Sequence, residues 1–234
     1  MPAEDAPDRV ELVRRSWTSI VDWLKTHAPA SAAALHGPVD EVGLIAAQAE
    51  TGRQWPEQLV AWLRMNDGEG RTGDAAVLPL GYLPLGADWI VKNWRMMAQV
   101  SNEVYGPVET AAADTQPAGS KTFPFPRSWL PIGDDTGGDL LFVDLRSGTR
   151  SGCVAAYEEG DAFTRAPIWP DIAAMLDDVN AALRTGRWVH PNYPDLDQIP
   201  VVTNGKIRWE PGPSSQRKLA ETKRRMEEQR RPGN

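Results

Sequence analysis

Apolar residues recur at helical spacing through the first hundred positions and at strand spacing after them. Val10, Val13, Trp17, Ile20 and Leu24 step by three and four, which marks one face of an amphipathic helix. Asp8 with Glu11 gives that helix a capped start, and Pro29 closes it. Asp40 opens a second, shorter helix that Gly52 terminates. Pro56 suits the first turn of a third, with Leu59, Trp62 and Leu63 apolar, and Asn66-Asp67-Gly68 stops it. Leu78 to Leu85 is apolar but broken by proline and glycine, and reads as an edge strand or extended connection. Asp88 is the expected cap of a further helix, with Ile90, Trp94, Met97 and Val104 on one face. From Gly106 to Ser120 no period survives, so the segment reads as a loop.

The pattern then changes. Leu140 to Leu145 is an apolar run interrupted by Asp144, the segment from Ser147 to Gly152 is turn-like, and Cys153 to Tyr157 is another strand. Glu158 to Asp161 makes the next turn, so the spacing predicts an antiparallel meander. Pro170 opens a helix with Ile172, Leu176, Val179 and Leu183 on one face, ended by Gly186. Composition shifts near Arg187, and His190 to Pro194 is irregular. Asn204-Gly205 between two short β-prone runs predicts a hairpin. Pro211-Gly212-Pro213 breaks the chain before a charged helix over 215–231, whose apolar residues are Leu219 and Met226. The order implies the α+β class, with helices packed on a central, mainly antiparallel (mixed) sheet. It divides the chain into a domain over 1–187, a hairpin extension over 188–213 and a basic tail over 214–234.

Charge sharpens this division. The chain of 234 residues carries a formal net charge of −7. Residues 214–234 hold seven basic against three acidic side chains, a net of +4, which leaves −11 on the remainder. An acidic body disfavours nucleic acid and favours basic partners. No run of about 18 apolar residues is present, so no membrane span is expected. Met1 to Asp8 lacks the basic and apolar regions of a signal peptide, which makes the cytoplasm the expected location. Cys153 stands alone, so neither an intramolecular disulfide nor a cysteine-based zinc cluster can form. It reads as a buried structural thiol. His27, His36 and His190 form no His-Glu-x-x-His or other close ligand pair.

The segment from Trp129 to Leu145 is the richest in candidate chemistry, because two apolar runs flank the acidic, glycine-rich turn Asp134-Asp135-Thr136-Gly137-Gly138-Asp139. Asp134, Asp135, Asp139 and Asp144 could serve a hard cation only if their oxygens converged. They lack the Asp-x-Asp-x-Asp-Gly spacing and distal glutamate of a calcium loop. Gly137-Gly138 is not followed by Lys-Ser/Thr and leads into a strand, which fails the pattern of a phosphate loop. No Gly-x-Ser-x-Gly elbow occurs either. The run therefore reads as a strand connection, and no catalytic residue, metal ligand or cofactor is expected. Ten tryptophans are many for this length. Trp17, Trp62 and Trp94 fall on apolar helix faces, whereas Trp55, Trp89, Trp129 and Trp169 stand beside proline or at element starts, where a ring is free to anchor an interface.

Several motifs in order resemble one family. Trp17, Ile20, Trp23 and Leu24 give a Trp-x-x-Ile-x-x-Trp-Leu opening. Glu50 to Leu59 resembles a Glu…Gly…Leu-Pro-x-x-Leu element, with Trp55 where leucine is usual, and Asn66-Asp67-Gly68 closes the next helix. Leu130-Pro131-Ile132-Gly133-Asp134 to Asp139 runs into the strand ending at Asp144-Leu145, Gly152 precedes the following strand, and Trp169 leads into the last helix. This order, over about residues 13–184, resembles the SMI1/KNR4 family of the SUKH superfamily. The hairpin and basic tail after Arg187 depart from its pattern. The resemblance implies an α+β domain without catalytic activity that binds proteins. Bacterial members are linked to immunity against polymorphic or contact-dependent toxins, and fungal ones to cell-wall synthesis and signalling. The expectation is a protein that neutralises a toxin, nuclease-like in chemistry, by occluding it. The alternatives are a regulatory scaffold, or a metal-dependent hydrolase built on the acidic turn. The candidate partner-binding residues are Asp134, Asp135, Asp139, Trp55 and Trp129.

Overall fold

The computed structural model describes residues 8–158, 167–186, 197–213, 215–217, 220, 221, 223 and 224. The chain begins with helix α1 (Arg9–His27), whose amide at Val10 donates to the Asp8 carboxylate. A short α2 (Pro29–Ala34) follows. Helix α3 (Glu41–Thr51) is capped by Asp40, which accepts from the amides of Val42 and Gly43, and ends at Gly52 in the left-handed conformation. Helix α4 is Glu57–Leu63. The prolines and glycine between Leu78 and Leu85 yield a 3₁₀ turn at Pro79–Gly81 and a two-residue strand β1 (Leu83–Pro84). Helix α5 (Ala87–Tyr105) comes next.

Two local expectations change here. Asp88 does not cap α5; the Ala87 amide instead donates to the Asp67 carboxylate at 2.7 Å. The Asn66-Asp67-Gly68 turn sits against the helix start, and a Cβ at Gly68 would lie 2.2 Å from the Gly86 nitrogen. Asn66 is buried and holds the turn, donating to the carbonyls of His36 and Gly68 and accepting from the Gly68 amide. The segment expected to be a loop after Gly106 contains helix α6 (Pro107–Asp114). Pro107 stands at its first turn, where a missing N–H costs nothing.

The sheet is antiparallel throughout in the order β1-β2-β3-β4, with β2 (Trp129–Asp134), β3 (Leu140–Asp144) and β4 (Val154–Tyr157). Period-two alternation sends its residues to two different cores. Leu130, Ile132, Leu141, Val143, Val154 and Ala156 join the larger one, with Trp17, Ile20 and Leu24 of α1, Leu59 and Trp62 of α4, and Ile90 of α5. Helix α7 (Ile172–Thr185), capped by Asp171, packs against α1 and adds Leu176 and Val179. Trp129, Leu140, Phe142 and Ala155 face the other way and meet Phe125 and Met97 in a smaller, largely aromatic cluster.

The Asn204-Gly205 hairpin forms as β5 (Gln198–Thr203) and β6 (Lys206–Pro211). Positive φ at both Asn204 and Gly205 gives the turn whose twist suits a two-residue connection. The hairpin is fastened to the body at several points. The Gly205 carbonyl accepts from the Ala30 and Ser31 amides, the Ile207 amide donates to the Ser31 hydroxyl, and the Trp209 indole donates to the Ala76 and Val77 carbonyls. Ile207 is itself part of the larger core. Beyond it, the described residues between 213 and 224 are helical. The expected turn at 159–161, the irregular stretch 190–194 and most of the charged helix over 215–231 lie outside the described residues.

Candidate functional site

The acidic turn connects β2 to β3, and its carboxylates are engaged in building it. The Asp135 amide donates to the Asp139 carbonyl at 3.2 Å. One oxygen of Asp135 accepts from the amides of Gly137 (2.7 Å) and Asp139 (3.0 Å), so this side chain folds the loop over itself. Thr136 adopts φ 65° and its amide donates to Asp134. The second oxygen of Asp134 receives Arg71 Nη1 at 2.6 Å. The Arg71 guanidinium also lies 4.4 Å from the centre of the Trp89 ring, and the Lys92 ammonium lies 4.5 Å from the same ring. Asp134 is thus buried and ion-paired, whereas Asp135 and Asp139 are partly exposed.

Strand register separates these residues from Asp144. Asp134 pairs with Leu140 at one end of the β2–β3 ladder, and Trp129 pairs with Asp144 at the other. Roughly 3.4 Å per residue puts more than 10 Å between the two groups. The four aspartates considered as hard-cation ligands therefore do not converge. Among the described residues, no three His, Cys, Asp or Glu side chains form a cluster of metal-ligand geometry.

Asp144 belongs instead to a buried charge pair with Arg146, which the sequence reading did not single out. Arg146 donates from Nε to Oδ1 at 3.0 Å and from Nη2 to Oδ2 at 2.7 Å, a bidentate fork. Both side chains are essentially without solvent exposure. Nη2 of Arg146 also donates to the Ser120 carbonyl at 2.8 Å, and the Gly119 amide donates to Asp144 Oδ2 at 2.8 Å. The guanidinium rests 5.2 Å from the centre of the Trp129 ring. Together these bonds hold the connection after α6 against the end of β3. Nearby, the Asp144 amide donates to the Cys153 carbonyl. Burial first, and the Asp144 charge second, push the Cys153 thiol up to about 11, so it stays protonated and unreactive at neutral pH.

Of the four tryptophans expected near the surface, Trp89 is partly exposed and the other three are inside. Trp55 and Trp129 are 2% and 1% exposed, and Trp169 is also buried. The Trp55 indole donates to the Thr51 hydroxyl at 3.0 Å, tying the entry of α4 to the end of α3. Trp129 stacks on Phe142 with ring centres 4.1 Å apart. Pro56 beside Trp55 and the start of β2 at Trp129 mark changes of chain direction rather than exposure, and neither ring has surface to offer a partner in this structure. What the surface does offer is a line of apolar side chains on α5 and α6 that includes Val104 and Val108, 63% and 74% exposed.

Residues 38–178, more than half of the chain, match the family model described as SMI1 / KNR4 family (SUKH-1). No curated protein matches the chain. The matched stretch runs from before α3 into α7 and includes the whole four-stranded sheet. Both the β5–β6 hairpin and the whole of α1 lie outside it, although α1 supplies Trp17 and Ile20 to the core.

Proposed function

The chain belongs to the SMI1/KNR4 family (SUKH-1), and from that premise we propose a non-enzymatic protein-binding role, that of an immunity protein which neutralises a toxin by occluding it. The observation that carries this reading is the family match combined with an acidic body. Outside residues 214–234 the chain holds a net of −11, a field that speeds capture of a basic partner such as a nuclease-like toxin. Asp135 and Asp139, partly exposed on the β2–β3 turn, add to that field without needing to touch the partner. The site geometry agrees, since the carboxylates of the turn serve backbone amides and Arg71 rather than an open cleft.

Co-expression with the product of an adjacent toxin gene tests the reading. The expected result is survival of the host and co-purification of the two proteins at low salt, with recovery falling at high salt. Survival of a deletion strain challenged with every neighbouring toxin would sink it. A regulatory scaffold is the second reading, and its support is the basic segment 214–231, opposite in sign to the body. On that reading, deletion of the segment abolishes partner recovery while thermal unfolding of the domain is unchanged.

A further inference from the structure

The face of α5 that turns away from both cores is apolar where a surface helix is ordinarily polar. Met96, Val100 and Val104 recur every four residues, which aligns them in one stripe. Val108 on α6, two residues past the Gly106 break, is exposed as well, and Tyr105 packs edge-on against Phe123 with ring centres 4.2 Å apart. All six are at least 39% exposed. Singly exposed apolar residues are ordinary on a protein surface, but a contiguous stripe of this kind marks an interaction site.

The charges beside the stripe have one sign. Between Met96 and Gln116 the chain carries Glu103, Glu109 and Asp114, and no Lys or Arg. Asp114 is paired with Arg53. Glu103 accepts a hydrogen bond from the neutral Gln99 side chain, and among the described residues no cation pairs with Glu103 or Glu109. Elsewhere on α5 the acidic partners are met. Lys92 pairs with Asp88, and Arg95 pairs with Glu50 of α3. On α5 and α6, therefore, the uncompensated acid lies beside the apolar stripe. A second copy of this chain docking here about a two-fold axis would set Glu103 and Glu109 against the same acidic surface, which repels.

We infer that the α5–α6 stripe is the docking face for an amphipathic helix of a partner protein whose apolar side carries flanking lysine or arginine. The inference rests on the protein-binding reading above and names the surface that performs it. Three apolar anchors one turn apart are the spacing that a helix laid along α5 would meet. The partner's flanking cations would pair with Glu103 and Glu109.

The probe is a synthetic helical Leu/Lys peptide of 14 residues (about four turns) with its leucines on one face, compared with the Leu/Glu peptide of the same pattern. The Leu/Lys peptide is expected to bind the full chain, and the Leu/Glu peptide not to bind. Val100→Ser with Val104→Ser, both exposed and so neutral to folding, lowers affinity about tenfold, as the loss of two apolar contacts implies. Glu103→Gln with Glu109→Gln lowers it less and flattens its salt dependence. Glu11→Gln with Glu57→Gln removes the same charge from α1 and α4 and leaves affinity unchanged. Circular dichroism melts confirm the fold of each variant. Equal binding by the serine variant, or binding of the Leu/Glu peptide, overturns the inference. So does a dimer in sedimentation that the serine pair dissolves, which would make a second copy the occupant. Displacement of the probe by a peptide of residues 214–231 would assign the face to the chain's own tail and overturn it equally. If a toxin co-purifies with the serine variant as well as with the native chain, the stripe is wrong and the immunity reading stands. If the probe binds as expected and no toxin is neutralised, the immunity reading fails and the stripe stands.

Discussion

The two faces of the four-stranded sheet are held by different physics. The first packs Leu130, Ile132, Leu141, Val143, Val154 and Ala156 against helices, and its stability comes from apolar area removed from water. The second packs a few aromatic rings and, at the end of β3, a fully buried arginine–carboxylate pair. Aliphatic packing tolerates exchange among residues of similar volume. A buried ion pair tolerates no change to one partner alone, because the other is left charged and unsolvated. The first face thus makes the protein stable. The second fixes one arrangement of the connection between α6 and β2, through Ser120, Gly119 and Trp129.

The largest expected effect breaks the second face. Arg146→Met strands the Asp144 charge and removes a donor from the Ser120 carbonyl, at a cost of about 3–5 kcal/mol in urea unfolding. The double variant D144L/R146M should cost less than Arg146→Met alone, because no unpaired charge remains. If the double variant is the worse of the two, the pair is a net stabiliser and the contrast between the faces narrows. Leu141→Ala on the first face comes next, at about 3 kcal/mol for a fully buried leucine. Its loss is expected to be the same at pH 6 and pH 8, since no titrating group takes part.

Cys153 gives the second face a pH signature. An unfolded thiol ionises near pH 9, whereas the folded one holds its proton to about 11. The folded state binds that proton more tightly, so stability is lost as pH rises between those values. The difference amounts to about 2 kcal/mol by pH 11. Melts of the native chain and of Cys153→Ala across pH 8 to 10.5 isolate the thiol from lysine and tyrosine. Parallel curves for the two proteins would place the thiol in contact with water and weaken the picture of a sealed second face.

The first face was far more legible in the sequence than the second. Helical and strand periods over Val10 to Leu24, Leu140 to Leu145 and Ile172 to Leu183 report where area is buried, and they identified its elements directly. The Asn204-Gly205 hairpin was legible because two positive φ angles require such residues. Arg146 was not, since its partners Ala113 and Ser120 lie 33 and 26 residues away and no period links them. Helix α6 escaped because Ala-rich residues give no apolar rhythm, although Pro107 after Gly106 was a usable start signal. Trp55 and Trp129 were misjudged for a related reason. A tryptophan beside proline or at an element start has the same local sequence whether its ring points inward or outward, and only the tertiary packing decides.

The smallest expected effect separates geometry from burial. Arg64 and Glu41 form the same bidentate fork as Arg146 and Asp144, with Nε–Oε1 at 2.6 Å and Nη2–Oε2 at 3.0 Å, but both side chains are more than half exposed. The Arg64 hydrogen bond holds the Glu41 carboxyl below its ordinary value. A lowered folded pKa means that stability is present above the unfolded value and lost as pH falls through the folded one. Water and salt screen this exposed pair, so the loss should be too small to move the urea midpoint. Glu41→Gln is therefore expected to unfold with the native chain, at pH 7 and at pH 4 alike. Carboxyl NMR titration supplies the positive readout, with Glu41 titrating below the ordinary glutamate value and returning to it in Arg64→Gln. If Glu41→Gln destabilised the protein as much as Arg146→Met, fork geometry rather than burial would govern both pairs, and the contrast between the two faces would lose its physical basis.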